Sequence, residues 1–538
     1  MTGYKKKFAS PLTLLIGISV LLRVIVYLLL PVSDDFGRYS NSSPLFFSAL
    51  TEHFKEYLAF TTNIPPATFI IDAFLLNMIG VKAAMSMRAF LILIFILDTI
   101  AISLLFRSAK RMGSNESIAF IVLTIFSIAL IPFELWRDGM HYDHLTFSFT
   151  AFFAWSLVRV IKNHNSVFNK SLVSITGALL VSQSAANSAI VPFSVFSILC
   201  FLYLPKKQFI QFGYALLVSL LLPVVVLFMI SKKNSGEGQE GLTSNKAGPA
   251  MMMVVQRAYK YDVAKVRELV QSNGAPAWYT WTYDHATPPF DPSTKKQAEG
   301  WMNLAQAFGI CFYSADGPTS NNPWGFNFDP LAQYLRNNGP AELLPIVQAD
   351  AGDAINRPYL FAGFSSELSP RWIGVYGDVS KRMFFAALKK NPVGMGKAFI
   401  EQQGIFCLYG HLFLYNTTQS KPSLMARSGL KTITGSVPLS FLLIPATFCF
   451  ALIAFVTYLA MLLNIPVVLW RWLKSIRSGK TTLNNNTFLL LSIPAICIAV
   501  VYSCLVGGEN DRYFIQASPY LVLLSTCLPA WFSSKINK

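Results

Sequence analysis

Long apolar runs separated by short polar segments organise both ends of this chain. A run of about 20 apolar residues lets an α-helix cross the roughly 30 Å hydrocarbon core of a membrane. Such runs predict ten transmembrane helices, over residues 11–30, 87–106, 117–134, 145–161, 171–187, 189–204, 209–230, 436–464, 487–506 and 514–533. Polar residues at 182–188 predict that the stretch 171–204 is two short helices meeting at a turn.

The first apolar run has two interpretations. It follows Lys5, Lys6 and Lys7, as the apolar segment of a signal peptide follows a basic region. However, the run is long, has no small-residue cleavage site and is followed by nine more runs. We therefore expect it to be a membrane anchor.

Composition supports a membrane protein. Of 538 residues, 53% are hydrophobic and 13% are charged, against roughly 25% charged in soluble domains. These values exclude a disordered chain, a disulfide scaffold and an ordinary cytosolic enzyme. The net charge of +17 comes mostly from short tracts between apolar runs. Such tracts are typical of cytoplasmic loops, and we expect no nucleic-acid partner.

The positions of the basic residues predict the topology. With the N-terminus inside, the cytoplasmic segments hold Lys5, Lys6, Lys7, Arg107, Lys110, Arg111, Arg159, Lys162, Lys170, Lys206, Lys207, Arg471, Lys474, Arg477, Lys480, Lys535 and Lys538. The short outer loops hold only Arg38, Lys55, Lys82, Arg88, Arg137 and Arg512. Cytoplasmic loops carry an excess of Lys and Arg, so ten spans with both termini inside satisfy the rule.

Two outer segments are large. In the first, residues 43–60 and 65–80 predict juxtamembrane helices, because the run 64–80 is short, opens with two prolines and contains Asp72. The second, 231–435, is long enough for an extracytoplasmic domain, α or mixed α/β. The chain thus divides into a transmembrane module (1–230), this domain, and C-terminal transmembrane helices (436–538). Cys311 and Cys407 are the cysteines of the domain; a disulfide and two free thiols both remain open.

Polar residues on the predicted outer face concentrate in three clusters, at 33–39, 134–144 and 507–513. Three clusters on one face indicate a shared cleft, in which a carboxylate can act as a general base and an Arg can hold a phosphate. Asp138, His141 and Asp143 are also ligand types for a divalent cation, Mg or Mn. Arg23 and Asp98 lie within predicted spans, where we expect Arg23 to reach outward or to pair with Asp98.

The first loop resembles that of the GT-C superfamily of membrane glycosyltransferases, particularly the lipid A aminoarabinose transferase and protein O-mannosyltransferase branch. In that branch an Asp-Glu-x-Arg-Tyr motif follows the first span, a Pro-Pro pair opens a helix that ends in Gly, and an Arg opens the next span. This chain has DFGRY at 35–39, Pro65-Pro66 with Gly80, and Arg88. It departs from the motif at Phe36, which replaces the Glu, and it has an extra acidic residue, Asp34.

The resemblance implies an integral-membrane glycosyltransferase that moves a sugar from a polyprenyl-phosphate donor to a glycan, lipid or protein acceptor on the outer face. It implies these roles: Asp35 or Asp34 as catalytic base; Arg512, Arg88, Arg137 and Tyr513 at the donor phosphate; and Asp138, His141, Asp143 and His144 as a second acidic motif or acceptor site. The alternatives are a transporter or flippase of lipid-linked glycans, and a non-enzymatic receptor or scaffold built around 231–435.

Overall fold

The computed structural model describes residues 10–30, 43–60, 66–137, 145–183, 187–236, 247–260, 262–284, 344–361, 370–401, 437–478, 487–505 and 510–536. Within these ranges the chain is helical and has no strand, so the all-α class is confirmed for this part.

The α-helices are numbered in chain order. The N-terminal module contains α1 Pro11–Leu29, α2 Ser43–Thr51, α3 Phe54–Phe60, α4 Pro66–Ile79, α5 Val81–Ser86, α6 Ala89–Arg111, α7 Glu116–Arg137, α8 Thr146–Lys162, α9 Val167–Gln183, α10 Asn187–Tyr203 and α11 Phe209–Gly236. The rest contains α12 Ala247–Ala258, α13 Val263–Ser272, α14 Ala277–Asp284, α15 Leu344–Asn356, α16 Pro370–Lys390, α17 at 392–401, α18 Val437–Ser478, α19 Thr487–Leu505 and α20 Asn510–Ile536. Short 3-10 helices cover Leu204–Lys206 and Pro358–Phe361.

A helix occurs at each of the ten apolar runs, and these helices pack in one bundle with alternating directions. At one end, Leu30, Leu91, Leu135 and Leu443 share a buried cluster; we call this the Arg88 end, because α6 begins there. At the opposite end, the Arg111 end, Ser114 donates a hydrogen bond to the carbonyl of Thr526. Phe201 stacks on Trp472 at the same end, with ring centroids 4.5 Å apart.

Six of the described helices are long and apolar enough to cross a membrane: Pro11–Leu29, Ala89–Arg111, Glu116–Leu135, Asn187–Lys206, Phe209–Ile230 and Phe441–Lys474. Three of them leave most of their apolar surface outside the bundle. On α11, for example, Leu217, Leu221 and Phe228 are exposed. A continuous apolar surface of this kind is unfavourable in water and favourable in hydrocarbon. The chain therefore has the structure of an α-helical membrane protein.

The bundle is stepped at the Arg88 end. Ser148, near the start of α8, donates a hydrogen bond to Asp98, nine residues past the start of the parallel helix α6. At 1.5 Å per residue, α8 therefore begins about 10 Å deeper than α6. The Ser156–Thr176 hydrogen bond (2.8 Å) places the end of α9 at a similar depth. This step explains why α8 and α9 have only 17 residues each.

The short helices α2–α5, which include the two segments predicted to be juxtamembrane, form a small core of their own beside the bundle. Aromatic side chains dominate this core, among them Phe46, Tyr57 and Phe69. α4 begins at Pro66 and is followed by Gly80 at φ +80°, a left-handed conformation that glycine adopts without strain. The pattern of an opening proline and a closing glycine is therefore confirmed at the level of secondary structure.

The described part of the 231–435 segment is also helical. α12, α13, α14, α16 and α17 share a hydrophobic core that includes Val255, Tyr279 and Met383. Farther along, Tyr359 stacks on His53 of the juxtamembrane segment at 3.8 Å and donates a hydrogen bond to Glu56. This bond stabilises the protonated phenol and raises the pKa of Tyr359. Cys311 and Cys407 lie outside the described residues.

Several helices extend beyond the predicted spans, most at the ends of α11 and α18, although the part of α11 that is apolar enough to cross a membrane ends at Ile230 as predicted. α11 continues six residues past position 230, and α18 continues from the predicted end at 464 to Ser478. Pro466 does not end α18, and the extension is retained because Trp472 packs on Phe201. Tertiary contact therefore overrides the local signal, as is common for helix ends.

Candidate functional site

A buried ion pair lies toward the Arg88 end of the bundle. Arg23 of α1 is 2% exposed and Glu134 of α7 is fully buried. The Nε and Nη2 of Arg23 both donate hydrogen bonds to Oε1 of Glu134, the Nε bond being 3.0 Å long. Nη1 donates to Ser19 Oγ and, at 3.0 Å, to Ser127 Oγ. The guanidinium is thus held in one orientation by two helices.

This geometry corrects the expectation for Arg23, which neither reaches outward nor pairs with Asp98. Asp98 instead accepts the hydrogen bond from Ser148. The contact of Arg23 with α6 is instead with Phe95, one turn before Asp98, whose ring centroid lies 5.9 Å from the guanidinium carbon of Arg23. Both α6 and α7 pack on α1, so the pairing depends on which carboxylate faces Arg23, and Asp98 is engaged by Ser148 of α8.

Beside this pair is the step in the bundle, and we call the region between the end of α7 and the deeper starts of α8 and α20 the recess. Three aromatic contacts define its level. The ring centroid of Phe126 on α7 lies 5.4 Å from that of Phe147 and 4.7 Å from that of Phe450. The ring centroids of Phe450 and Phe514 lie 6.4 Å apart. Phe147 and Phe514 belong to the first turns of α8 and α20, so both helices begin far below the last turn of α7. Both therefore direct their N-termini into the recess.

The recess has polar groups that are buried in an otherwise apolar bundle. Thr146, the first residue of α8, is fully buried, and its hydroxyl has no hydrogen-bond partner among the described residues. α4 packs against α9 on the shortened side of the bundle, and its Asp72 is fully buried. Buried polar and ionisable groups are expensive in a membrane and commonly mark functional sites. We call Arg23, Asp72, Asp98, Glu134 and Thr146 the recess residues.

The structure places some of the sequence-predicted site residues near this recess. Arg88 directly precedes α6 and has φ +47°, an uncommon conformation for a residue other than glycine. Arg137 is the last residue of α7, and Arg512 and Tyr513 are in the first turn of α20; only their backbone positions are described. α7 and α20 pack against each other in the bundle. This contact joins the two helices but does not place their ends together, so the predicted convergence of these residues stays a prediction.

Other predicted residues lie outside the described residues: Asp34, Asp35, Asp138, His141, Asp143 and His144. Their flanking helix ends are described, and Leu30 and Leu135 share one buried cluster. Both loops thus leave the bundle from the same place. In the described part of the chain, no three His, Cys, Asp or Glu side chains are arranged to hold a metal ion, and the predicted metal ligands are not among those residues.

Sequence reasoning missed the hydrogen-bond network around Arg23. Ser19 precedes Arg23 by four residues, which puts both on one helix face, and that spacing was a usable signal. Ser127 and Glu134 offered a weaker signal, because only the packing of α7 on α1 brings them to Arg23. In comparisons with protein families, with curated proteins and with solved structures, nothing significantly matches this chain.

Proposed function

We propose that this protein is an integral-membrane glycosyltransferase that moves a sugar from a polyprenyl-phosphate donor to an acceptor at the Arg88 end. The observation that carries the proposal is the set of polar and ionisable side chains that are buried near the Arg88 end of an otherwise apolar bundle. A lipid-linked donor has a long apolar tail and a charged phosphate. A recess that opens beside lipid-facing helices can accept both parts, and the tail can enter laterally.

The proposed chemistry needs one base and a group of cations. The acceptor hydroxyl or amine attacks the anomeric carbon, a carboxylate takes its proton, and the lipid phosphate leaves with the bonding electrons. We assign the base to Asp35, with Asp34 as its neighbour. We assign the leaving phosphate to Arg512, with Arg88 and Arg137 nearby, because a guanidinium binds phosphate through a planar fork of donors.

Two features of the described residues support a phosphate in the recess. The N-termini of α8 and α20 point into it, and unpaired N–H groups with a partial positive charge favour an anion there. Arg88 is held at a positive φ, which costs an L-residue about 1 kcal/mol or more. Such a conformation persists where the surroundings impose it, and it often marks a binding site.

The topology of the proposal follows from the two bundle ends. All the described basic residues that were predicted to be cytoplasmic lie at or near the Arg111 end, including Arg107, Arg159, Lys206 and Lys474. We therefore propose ten crossings, with the Arg88 end and the recess on the extracytoplasmic side. Nucleotide sugars are confined to the cytoplasm, so a lipid-linked donor is the appropriate sugar source on that side.

The test is sugar transfer from a polyprenyl-phosphate donor by purified variants. Asp35→Asn keeps the side-chain shape but cannot accept a proton, so turnover should fall about 10²- to 10⁴-fold. Arg512→Ala should weaken donor binding about 10- to 150-fold, and Arg512→Lys should restore it only in part. Asp378→Asn is the matched control, since Asp378 is a surface residue of α16 that bonds only to Lys381 among the described residues.

Three outcomes would contradict these assignments. If Asp35→Asn is active and Asp34→Asn is inactive, the base moves by one residue. If both are active, the base is not in the first loop, and Asp138 and Asp143 become the candidates. If the wild-type protein transfers no sugar from any polyprenyl-phosphate donor, the proposed function is wrong.

The buried Arg23–Glu134 pair and Asp98 favour a second candidate, a transporter of lipid-linked glycans. Ionisable groups inside a bundle often mark a transport pathway. The two functions differ in one product, because a transferase releases free polyprenyl phosphate and a transporter leaves the donor intact. Measuring that product in proteoliposomes separates them.

A further inference from the structure

A second charged cluster lies at the Arg111 end, far from the recess. His164 in the α8–α9 turn, Lys170 in the first turn of α9 and Lys206 after α10 come together there. Lys206 Nζ lies 3.2 Å from His164 Nε2, and Tyr203 donates a hydrogen bond of 2.6 Å to the His164 carbonyl. An ammonium can only donate, so His164 is neutral and accepts at Nε2. Burial and the two ammonium groups agree with this, since they lower the pKa of His164.

Lys170 is the unusual member of the cluster. Its side chain is 4% exposed, and its Nζ lies 5.3 Å from the Tyr214 ring centroid and 6.0 Å from that of Tyr203. Two aromatic faces stabilise a cation only in part. Within the described ranges, the ammonium has no hydrogen-bond acceptor. An anion beside this partly desolvated ammonium would offset the cost of its desolvation.

The described residues do not supply a counter-ion for this cluster. Among them, segments 107–116, 159–170, 203–209 and 471–478 lie at the Arg111 end, and the only acidic residue in these segments is Glu116. Glu116 already pairs with Lys110 at 2.9 Å. No carboxylate of the described segments is therefore available to Lys170 and Lys206, and we look for their anion in another molecule.

The surroundings of the cluster indicate a lipid. Phe168 and Phe209 are more than 60% exposed, and Ile210 is 90% exposed. All three lie within four residues of Lys170 or Lys206 in sequence. Large exposed apolar side chains beside two ammonium groups match an acyl chain below a headgroup phosphate.

We propose that Lys170 and Lys206, with neutral His164 fixing Lys206, bind the headgroup phosphate of an anionic lipid in the leaflet at the Arg111 end. In this site Lys170, which lies beside the rings of Tyr203 and Tyr214, donates a hydrogen bond to the phosphate. Lys206 donates one proton to His164 and has two more protons for the phosphate. The site is separate from the recess and does not depend on the proposed transferase activity.

The experiment titrates the purified full-length protein with phosphatidylglycerol and counts bound lipid by native mass spectrometry. Phosphatidylcholine with the same acyl chains tests whether binding requires a net negative charge on the lipid. Inorganic phosphate tests whether the site binds a soluble anion as well as it binds the lipid. The variants are Lys206→Gln, on the exposed side of the site, and Lys170→Met. The control is Lys110→Gln, which removes the same charge at the same end but from a residue already paired with Glu116.

We expect one phosphatidylglycerol to be retained by the wild-type protein and by Lys110→Gln. Its dissociation constant should rise about ten-fold or more in Lys206→Gln and in Lys170→Met. Unchanged retention in Lys206→Gln would overturn the proposal, even if Lys170→Met fails to fold. Equal retention of phosphatidylcholine, or full displacement of the lipid by millimolar inorganic phosphate, would also overturn it.

Discussion

At the scale of single residues, the Arg23–Glu134 pair shows how this bundle accommodates charge. Both side chains are buried, and Arg23 makes hydrogen bonds to Ser19, Ser127 and Glu134. An isolated ion would cost several kcal/mol in this environment, and the paired, hydrogen-bonded ion recovers most of that cost. A pair of this kind stabilises one arrangement of α1 against α7, which is one wall of the recess.

Replacing one member of this pair should therefore destabilise the protein more than replacing both members. Arg23→Met leaves Glu134 buried beside an apolar group, and Glu134→Leu leaves the guanidinium in the same position. Each single variant should lose about 3–5 kcal/mol, and the double variant should lose much less than the sum. Thermal unfolding in detergent, read as a double-mutant cycle, measures the coupling. Additive losses would show that the pair does not hold α1 to α7.

At the scale of the helix, packing in the bundle depends on small residues. Gly177 of α9 lies where α8, α10 and α11 converge. A Cβ atom there would lie 3.0 Å from Val191 Cγ1, 3.2 Å from Pro223 Cγ and 3.4 Å from Phe153 Cε2. Close to it, Ser174 accepts a hydrogen bond from the N–H of Leu222 at 3.0 Å. Small residues let helices approach closely in a membrane, where the hydrophobic effect does not drive their association.

Gly177→Ala should accordingly destabilise the protein by about 1–3 kcal/mol, because three helices must move to admit one methyl group. Gly17→Ala is the control, since a Cβ atom at Gly17 of α1 meets nothing within 4 Å. It should be neutral or slightly stabilising, because alanine favours helix more than glycine does. The measurement is the midpoint of thermal unfolding in one detergent. Equal midpoints for both variants would contradict the close packing at Gly177.

At the scale of the whole molecule, the two ends of the bundle differ in charge. In the described part of the chain, the Arg111 end carries a dense set of basic residues and one carboxylate, Glu116, whereas the recess residues at the Arg88 end combine acidic and basic groups. The positive-inside rule relates this asymmetry to orientation in the membrane. The 231–435 segment follows α11, which ends at the Arg88 end, so we expect this segment on the extracytoplasmic side.

Cysteine labelling tests this orientation. In a cysteine-free background, Glu240→Cys should react with an impermeant maleimide in intact cells, and Lys110→Cys should react only after permeabilisation. Leu123→Cys, which is fully buried in α7, is the control that should stay unlabelled under both conditions. Equal labelling of positions 240 and 110 in intact cells would reject the ten-crossing topology.

The sequence alone determined which segments form helices, because the signals are local. Run length and composition predicted a helix at each of ten apolar runs, and Pro66 and Gly80 delimited α4 as expected. The division of the stretch 171–204 into two helices, α9 and α10, was predicted from the polar residues at 182–188, and helical spans were predicted from the apolar runs. Each of these features depends on residues within a few turns of one another.

Only the tertiary structure decided which charges meet and how deep each helix begins. Arg23 pairs with a residue 111 positions away, and the more obvious partner, Asp98, bonds to Ser148 instead. The recessed starts of α8 and α20, and the continuation of α18 past Pro466 to pack on Phe201, likewise depend on neighbouring helices. A local pattern specifies that a helix forms, but its depth and partners follow from packing between segments that are distant in sequence.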